Sequence, residues 1–444
     1  MRTKATRYER VIGMSLTTPE EIQELQRKLY LKAKQEPDYR FYSLYDKICR
    51  QDVLTHAYRL SKANKGMPGV DGKTFEDIEE YGIEQYLKEI QEELLKKEYI
   101  PDAVLRVYIP KAGGGKRPLG IPSIRDRIVQ ASVKIILEPI FEADFTENAY
   151  AYRSGRNANL AVREVHKGLK AGYVQVVDAD LSKYFDTIPH ADLLRSVARR
   201  ISDGEVLHLI KLFLKATVEE RTGKGKKIRK ESGNRGTPQG GVLSPLLANI
   251  YMRRFLKAWE IRGNTKKYQS RIINYADDFV ILCKRDADKA LLEAKSILEH
   301  IGLKLNEEKT KICNIWEESF DFLGYSFGVQ YYFGKGKYIG VSPSKKSVNK
   351  IKTTIRKKAG VRTCWQDEEI IIREVNNVIR GWTNYFSYGT LWKTYIPLEN
   401  FLWRRIRKWL LHKHRIDGMG RNQIPAERIY QEMGLIKITE MLMC

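Results

Sequence analysis

Over residues 1–100 the apolar positions recur mostly at helical spacing. Pro19-Glu20-Glu21, after Thr17 or Thr18, reads as the first turn of a helix running through IQELQRKLYLKAKQ. LYDKICRQDVLTHAYRLSKA reads as a second helical stretch, and the turn-rich NKGMPGVDGK at 64–73 ends it. From 104 to 122 the pattern changes. VLRVYIPKAGGGKRPLGIP is two short β-type runs around a triple glycine, which predicts a hairpin, and a helix from Arg125 to Phe141 follows. YVQVVDAD at 173–180 is a strand ending on acids, and LSKYFDTIPHADLLRSVARRI continues from it into helices. RIINYADDFVILCK at 271–284 reads as two apolar strands around a turn, with the helix ADKALLEAKSILEHIG behind them. This order predicts an α+β sheet domain over 101–330. Beyond Ser342 the chain turns helical. IIIREVNNVIRGWTNYF sets Ile371, Val375, Val378, Ile379, Trp382 and Phe386 on one stripe, expected to face the core of a bundle.

Bulk properties narrow the class. A chain of 444 residues holds roughly two to four domains. With 42% hydrophobic and 10% aromatic residues it can build sizeable cores, which excludes the disordered class. The 79 Lys and Arg against 55 Asp and Glu leave a net charge of +24, which favours a polyanionic partner. Half of that excess lies in residues 345–416, where 17 Lys and Arg meet 5 Asp and Glu. Cys49, Cys283, Cys313, Cys364 and Cys444 form no CxxC pair, which argues against a zinc site or a disulfide framework and fits a reducing compartment. The opening MRTKATRYER is basic and polar without the apolar core of a secretion signal, and no apolar run is long enough for a bilayer. A soluble, intracellular protein is expected, with no membrane partner.

Chemistry concentrates in the carboxylates. Asp277 and Asp278 are adjacent acids in the turn of an apolar hairpin, where like charges raise each other's pKa until a divalent cation resolves the conflict. Asp178 and Asp180 share a face at the end of the other strand, because strand side chains alternate with period two. Mg²⁺ takes a few carboxylate oxygens together with substrate phosphates and water. Two such ions about 3.5–4 Å apart serve nucleotidyl transfer. A lone DD is more often a solvated hairpin tip. The coexistence of both acid pairs at strand ends in a basic chain is what favours a metal site.

These residues lie within recognisable blocks. YADD at 275–278 resembles the catalytic hairpin of reverse transcriptases, and DADLSKYFDTIPH at 178–190 resembles their first metal motif. RGTPQGGVLSPLLANIYM at 235–252 is similar to the loop and helix that group II intron reverse transcriptases place near the templating base. LNEEKTKI at 305–312 and FLGYSF at 322–327 resemble the two blocks that follow. VYIPKAGGGKRPLGIPSIRDRIVQ and FTENAYAYRSGRNA resemble the fingers blocks, and KGMPGVDGKTFEDI the N-terminal extension. NNVIRGWTNYFSYG at 376–389 resembles the maturase, or thumb, signature. The blocks run in order over roughly residues 50–415 and resemble the short, endonuclease-free bacterial class of intron-encoded proteins.

The resemblance implies an α+β right-hand polymerase, fingers and palm with an antiparallel sheet, followed by an α-helical thumb/maturase domain. Its divisions would be an N-terminal helical extension with the start of the fingers at 1–100, fingers and palm at 101–330, and thumb/maturase at 340–415. A short tail at 416–444 would be a DNA-binding remnant. Asp180, Asp277 and Asp278 would be the catalytic carboxylates and hold two Mg²⁺, with Asp178 the weaker choice beside Asp180. Phe185, or alternatively Tyr184, would crowd a ribose 2′-hydroxyl. Lys111 and Arg117 would grip the incoming triphosphate; Arg suits bidentate phosphate contact and Lys a mobile point charge. Gln239 and Gly240 would approach the nascent pair, and Lys309 would either protonate pyrophosphate or be a surface lysine. Arg404, Arg405, Arg407 and Lys408 would contact nucleic acid as exposed cations. His412 and His414, in the same basic run, read as RNA-contacting or solvated rather than metal-binding. The implied partners are group II intron RNA, an RNA template with a DNA primer, deoxynucleoside triphosphates and target DNA. The implied location is the bacterial cytoplasm, at the nucleoid when DNA is bound. The implied function is RNA-directed DNA polymerase and maturase for splicing and retrohoming. A domesticated enzyme of defence or repair, or a splicing cofactor with a vestigial polymerase, stands as the alternative.

Overall fold

The computed structural model describes residues 18–110, 115–221, 227–231, 233–332, 336–418 and 424–442. It is a mixed α/β structure with three sheets that are almost wholly antiparallel. The strands are β1 (Val104–Pro110), β2 (Lys116–Ile121), β3 (Gln175–Asp180), β4 (Val218–Arg221), β5 (Lys227–Lys230), β6 (Ser270–Tyr275), β7 (Asp278–Cys283), β8 (Lys311–Asn314), β9 (Phe320–Phe322), β10 (Tyr325–Tyr332) and β11 (Gly336–Pro343). They pair in the orders β2-β1-β4-β5, β6-β7-β3-β8 and β11-β10-β9. The expected hairpin is β1–β2, and the expected apolar strand pair is β6–β7. The third sheet carries β-structure to Pro343, past residue 330 where the sheet domain was expected to end.

The first helix, Glu20–Gln35, starts with Glu20 and Glu21 and closes with Lys32 and Lys34, charges that complement its dipole. The stretch expected to form one helix at 44–63 is two, Tyr45–Ile48 and Gln51–Ala63. A distant side chain fixes where the first piece starts. Asp203 accepts hydrogen bonds from the backbone N–H of Leu44 and Tyr45, at 2.8 and 2.9 Å, and so caps the short piece. Arg50 then sits extended and grips Asp52 with two hydrogen bonds. The helix Ile124–Glu142, capped by Ser123, is buried on nearly every side and forms the axis of the largest core together with Ser244–Ile261.

The central sheet has apolar residues on both faces. Ile281 and Phe279 join the largest core, while Val280, Leu282 and Val176 join a second core with Phe320, Phe327 and Val341. A third, all-helical core spans Lys345–Lys358, Glu368–Tyr385 and Trp392–Lys413, and Ile424, Ile429, Leu435 and Ile438 complete it. Most of the predicted stripe faces inward there: Ile371, Val375 and Ile379 are fully buried, Val378 and Trp382 are half-buried against the same core, and Phe386 is buried in the second core. No helix among the described residues is long and apolar enough to cross a membrane.

Polar contacts join the last two cores. His166 meets the Tyr388 hydroxyl through Nδ1 at 2.7 Å and the Ile339 carbonyl through Nε2 at 3.0 Å. The Tyr325 hydroxyl contacts Asn159 Oδ1 at 2.9 Å and the Tyr385 carbonyl at 2.7 Å. Burial lowers the His166 pKa below its usual 6.5, and nearby Lys170 adds to the effect, so the ring is neutral in the fold at pH 7. Unfolded chains take up this proton first as pH falls, so the stability tied to His166 is complete above about 6.5 and declines below it. His166→Gln is expected to destabilise the protein at pH 7.5 by about 1–2 kcal/mol, the scale of one or two buried hydrogen bonds. The difference in Tm between variant and parent should narrow between pH 7 and pH 5. A gap that stays constant over that range would remove His166 from the joint.

Candidate functional site

The two acid-bearing strands are neighbours, and their register sets the site. β3 and β7 pair so that Asp180 stands opposite Asp278, while Tyr275 stands opposite Asp278 on the other side. The turn between β6 and β7 is tight. Ala276 is left-handed, with φ 58°, and Asn274 donates its side-chain amide to the Ala276 carbonyl at 2.9 Å and the Asp278 carbonyl at 3.3 Å. The Asp277 carbonyl accepts from Leu181 N–H at 3.2 Å, which ties this turn to the end of β3.

Burial pushes the Asp278 carboxyl up to about 7, and Asp277 and Asp180 add to the shift. Asp277 is raised for the same first reason, and Asp180 contributes there too. The three carboxylates thus share one field. Asp178 lies one rung back, pushed up to about 6 by burial, with Lys311, Asp321 and Asp180 as its charged neighbours. Asp180 therefore stands nearer the turn than Asp178. Lys309 Nζ sits 2.7 Å from Asp180 Oδ2, and Asn306 donates to the same oxygen at 3.3 Å and to the Asp180 carbonyl. The Lys309 pKa is raised, first by that hydrogen bond.

No three side chains among the described residues form a ready-made metal cage. The donor set nonetheless fits Mg²⁺, which seldom has an all-protein cage and completes its shell with water and substrate phosphate. Beyond burial, Asp277 and Asp180 raise the pKa of Asp278, and Asp180 raises that of Asp277, a conflict that a divalent cation relieves.

The PQGG loop packs against this floor. Gly240 has φ 114°, and a Cβ there would lie 2.3 Å from the Gly120 carbonyl of β2. Gly120 N–H donates to the Gln239 carbonyl at 2.6 Å. On the opposite side Thr237 N–H bonds the Phe185 carbonyl at 2.7 Å, and Gly236 N–H the Ile188 carbonyl at 2.8 Å. Arg117 Nε donates to Gln239 Oε1 at 2.9 Å. Lys111, the other cation expected at the triphosphate, lies outside the described residues. Tyr184 is buried, and its hydroxyl is spent on the Ala248 carbonyl at 2.6 Å. Phe185 is held edge-on by Tyr184 and by Tyr152, whose ring centroid is 6.3 Å away. A cleft of about 880 Å³ opens beside the loop, lined among others by Lys65, Gly120, Arg127, Tyr152 and Gly240.

Sequence reasoning missed Asn274, Asn306, Tyr152 and Asp186. The left-handed Tyr152 (φ 55°) and Asn306 act through partners set by the fold, whereas Asn274 bonds the Ala276 and Asp278 carbonyls within its own turn. Asp186 lies within the quoted first metal motif, but its contact with Gln239 spans 53 residues.

One expectation at the basic end needs correction. Arg404 and Lys408 are exposed, four residues apart on Trp392–Lys413, but Arg407 is only 9% exposed. Its guanidinium lies 4.8 Å from the Trp403 ring, because position 407 faces the core beside Ile406 and Leu410. Arg405 is half-buried and directs Nη2 at the Arg356 carbonyl, 3.3 Å away. His412 is exposed, and His414 faces the Glu368 carboxylate at 2.5 Å.

Residues 109–327 match the family described as reverse transcriptase (RNA-dependent DNA polymerase), and residues 345–424 match the group II intron, maturase-specific domain. The chain is 33% identical over 368 residues to protein YkfC of Escherichia coli strain K12, covering 74% of this chain and 94% of that one. It is 35% identical over 220 residues to the group II intron-encoded protein LtrA of Lactococcus lactis subsp. cremoris, covering 49% of this chain and 35% of that protein. It is 25% identical over 416 residues to an uncharacterised 91 kDa protein in a cob intron of Schizosaccharomyces pombe, covering 77% of this chain and 50% of that protein. The chain thus spans half or less of the last two relatives.

Proposed function

Since the chain belongs to the reverse transcriptases that carry a group II intron maturase domain, we propose that it copies RNA into DNA at the Asp180–Asp277–Asp278 site and binds its intron RNA through the helical domain. The observation that carries this reading is the register of β3 against β7, which sets Asp180 opposite Asp278 with Asp277 in the adjoining turn. Asp180, Asp277 and Asp278 would hold two Mg²⁺. When bound, these ions would activate the primer 3′-hydroxyl and stabilise the departing pyrophosphate. The sheet β2-β1-β4-β5 would be the fingers, the sheet β6-β7-β3-β8 the palm, and residues 340–415 the thumb and maturase domain.

Arg117 is a fixed fork of donors suited to the triphosphate of a deoxynucleotide. Gln239 and Gly240 bring bare backbone beside it, so a nascent base pair can approach closely. Phe185, rather than the fully engaged Tyr184, is the side chain left to crowd a ribose 2′-hydroxyl. Lys309 has a raised pKa and a carboxylate partner, which favours a counter-charge for Asp180 over an acid for pyrophosphate. RNA template, DNA primer and target DNA would be the nucleic-acid partners, and the net positive charge supports binding to all of them.

Replacing both Asp277 and Asp278 with Ala should abolish primer extension and leave RNA affinity nearly intact. Extension above a few per cent of the parent rate would refute the assignment. Phe185→Ala should raise ribonucleotide incorporation relative to deoxynucleotide incorporation. Unchanged discrimination, or a gain only in Tyr184→Ala, would move the gate elsewhere. For the helical domain, Arg404→Gln with Lys408→Gln should weaken intron RNA binding and splicing. The slope of log affinity against log salt should fall by about one to two if both cations meet phosphate. Extension on a short primed template should change much less. Splicing that survives while extension collapses would make this face a duplex clamp instead.

A further inference from the structure

Asp186 is an exposed carboxylate one residue beyond Phe185, and the chemistry above makes no use of it. A negative charge beside a triphosphate site repels the ligand, so its presence there has a cost. Both of its oxygens lie 3.2 Å from Gln239 Nε2, while Gln239 Oε1 accepts from Arg117 Nε at 2.9 Å. A carboxylate only accepts and a guanidinium only donates. With unlike partners on its two sides, the Gln239 amide has one orientation that satisfies both. The backbone around it is held too. A Cβ on Gly236 would meet the Asp186 backbone at 3.1–3.3 Å, and Gly120 N–H holds the Gln239 carbonyl. A chain of hydrogen bonds therefore crosses from the turn Tyr184–Thr187 to β2, where Arg117 stands.

We infer that Asp186 is a positioning residue for the incoming nucleotide: it sets the Gln239 amide, and through that amide the waiting position of Arg117. This rests on reading Arg117 and Gln239 as part of the nucleotide site. To bind a triphosphate, Arg117 exchanges an amide oxygen for phosphate oxygens, and Asp186 keeps the amide from turning after it. Without the carboxylate, Gln239 is free to present its NH₂ to Arg117, and two donors facing each other push the guanidinium aside.

The test is steady-state extension on a fixed primer–template with deoxynucleotide as the varied substrate. Asp186→Asn accepts either amide orientation, so KM for the nucleotide should rise about tenfold, the order expected for one charge-assisted hydrogen bond, with kcat within a factor of about two. Asp186→Glu restores a carboxylate and should recover part of the loss. Gln239→Ala should raise KM similarly, and the Asp186→Asn/Gln239→Ala double variant should be no worse than Gln239→Ala alone. Thermal stability and primer–template affinity should match the parent. Unchanged KM in Asp186→Asn, or losses that add in the double variant, would overturn the inference. So would a fall in thermal stability alongside kcat, which marks a merely structural role. Arg117→Ala separates the two levels: if it leaves KM unchanged, the nucleotide-site reading itself fails. If Arg117→Ala raises KM while Asp186→Asn is silent, only the role of Asp186 falls.

Discussion

The register between β3 and β7 is the constraint from which the site follows. A shift of one residue would turn every side chain of β3 to the opposite face. Asp180 would then leave the acidic face, and Val176 and Val177 would exchange the two cores that they now fill on either side of the sheet. Apolar packing on both faces thus fixes which carboxylates meet. The repulsion among them is small beside the burial of β7, whose residues from Phe279 to Cys283 are fully inaccessible. The cores hold the acids in place, and the acids do not hold the cores.

Two further contacts extend that arrangement outward. The turn at Ala276 is locked by Asn274 and tied to Leu181, so Asp277 has little freedom relative to Asp180. The glycine loop then connects the carboxylate floor to β2 through backbone hydrogen bonds and through the Gln239 side chain. Charge is arranged differently. The cations of the helical region are spread over separate helices, and some of the most basic positions, such as Arg407, face a ring inside rather than solvent.

Much of this was legible because local pattern and tertiary role agree. β1–β2, β6–β7, the helix Ile124–Glu142 and the stripe from Ile371 to Phe386 all follow from period and punctuation. The carboxylates were legible as a group because two acid pairs stand at the ends of apolar strands, and the pairing of β3 with β7 brings them together. The rest depended on partners far away in sequence. Asp203, which caps the short helix before Arg50, lies 159 residues from Leu44, and the inward turn of Arg407 follows from the packing of its helix face into the third core. In the third sheet only β9, with three residues, is too brief to show a period, while β10 and β11 run eight residues each and were not read as strands. Asp186 and Tyr152 lie inside recognisable blocks, but their partners Gln239 and Phe185 are distant in sequence.

The contact between Gly120 and Gly240 has a mechanical consequence. Side chains cushion most joints in a protein, because a rotamer change absorbs a displacement before the backbone feels it. Here peptide meets peptide, with a 2.6 Å hydrogen bond from Gly120 N–H to the Gln239 carbonyl and no room for a methyl group between strand and loop. Such a joint has almost no compliance. A tilt of the sheet that carries Arg117 is passed undamped to the loop beneath it, and the loop moves with the sheet as one stiff lever.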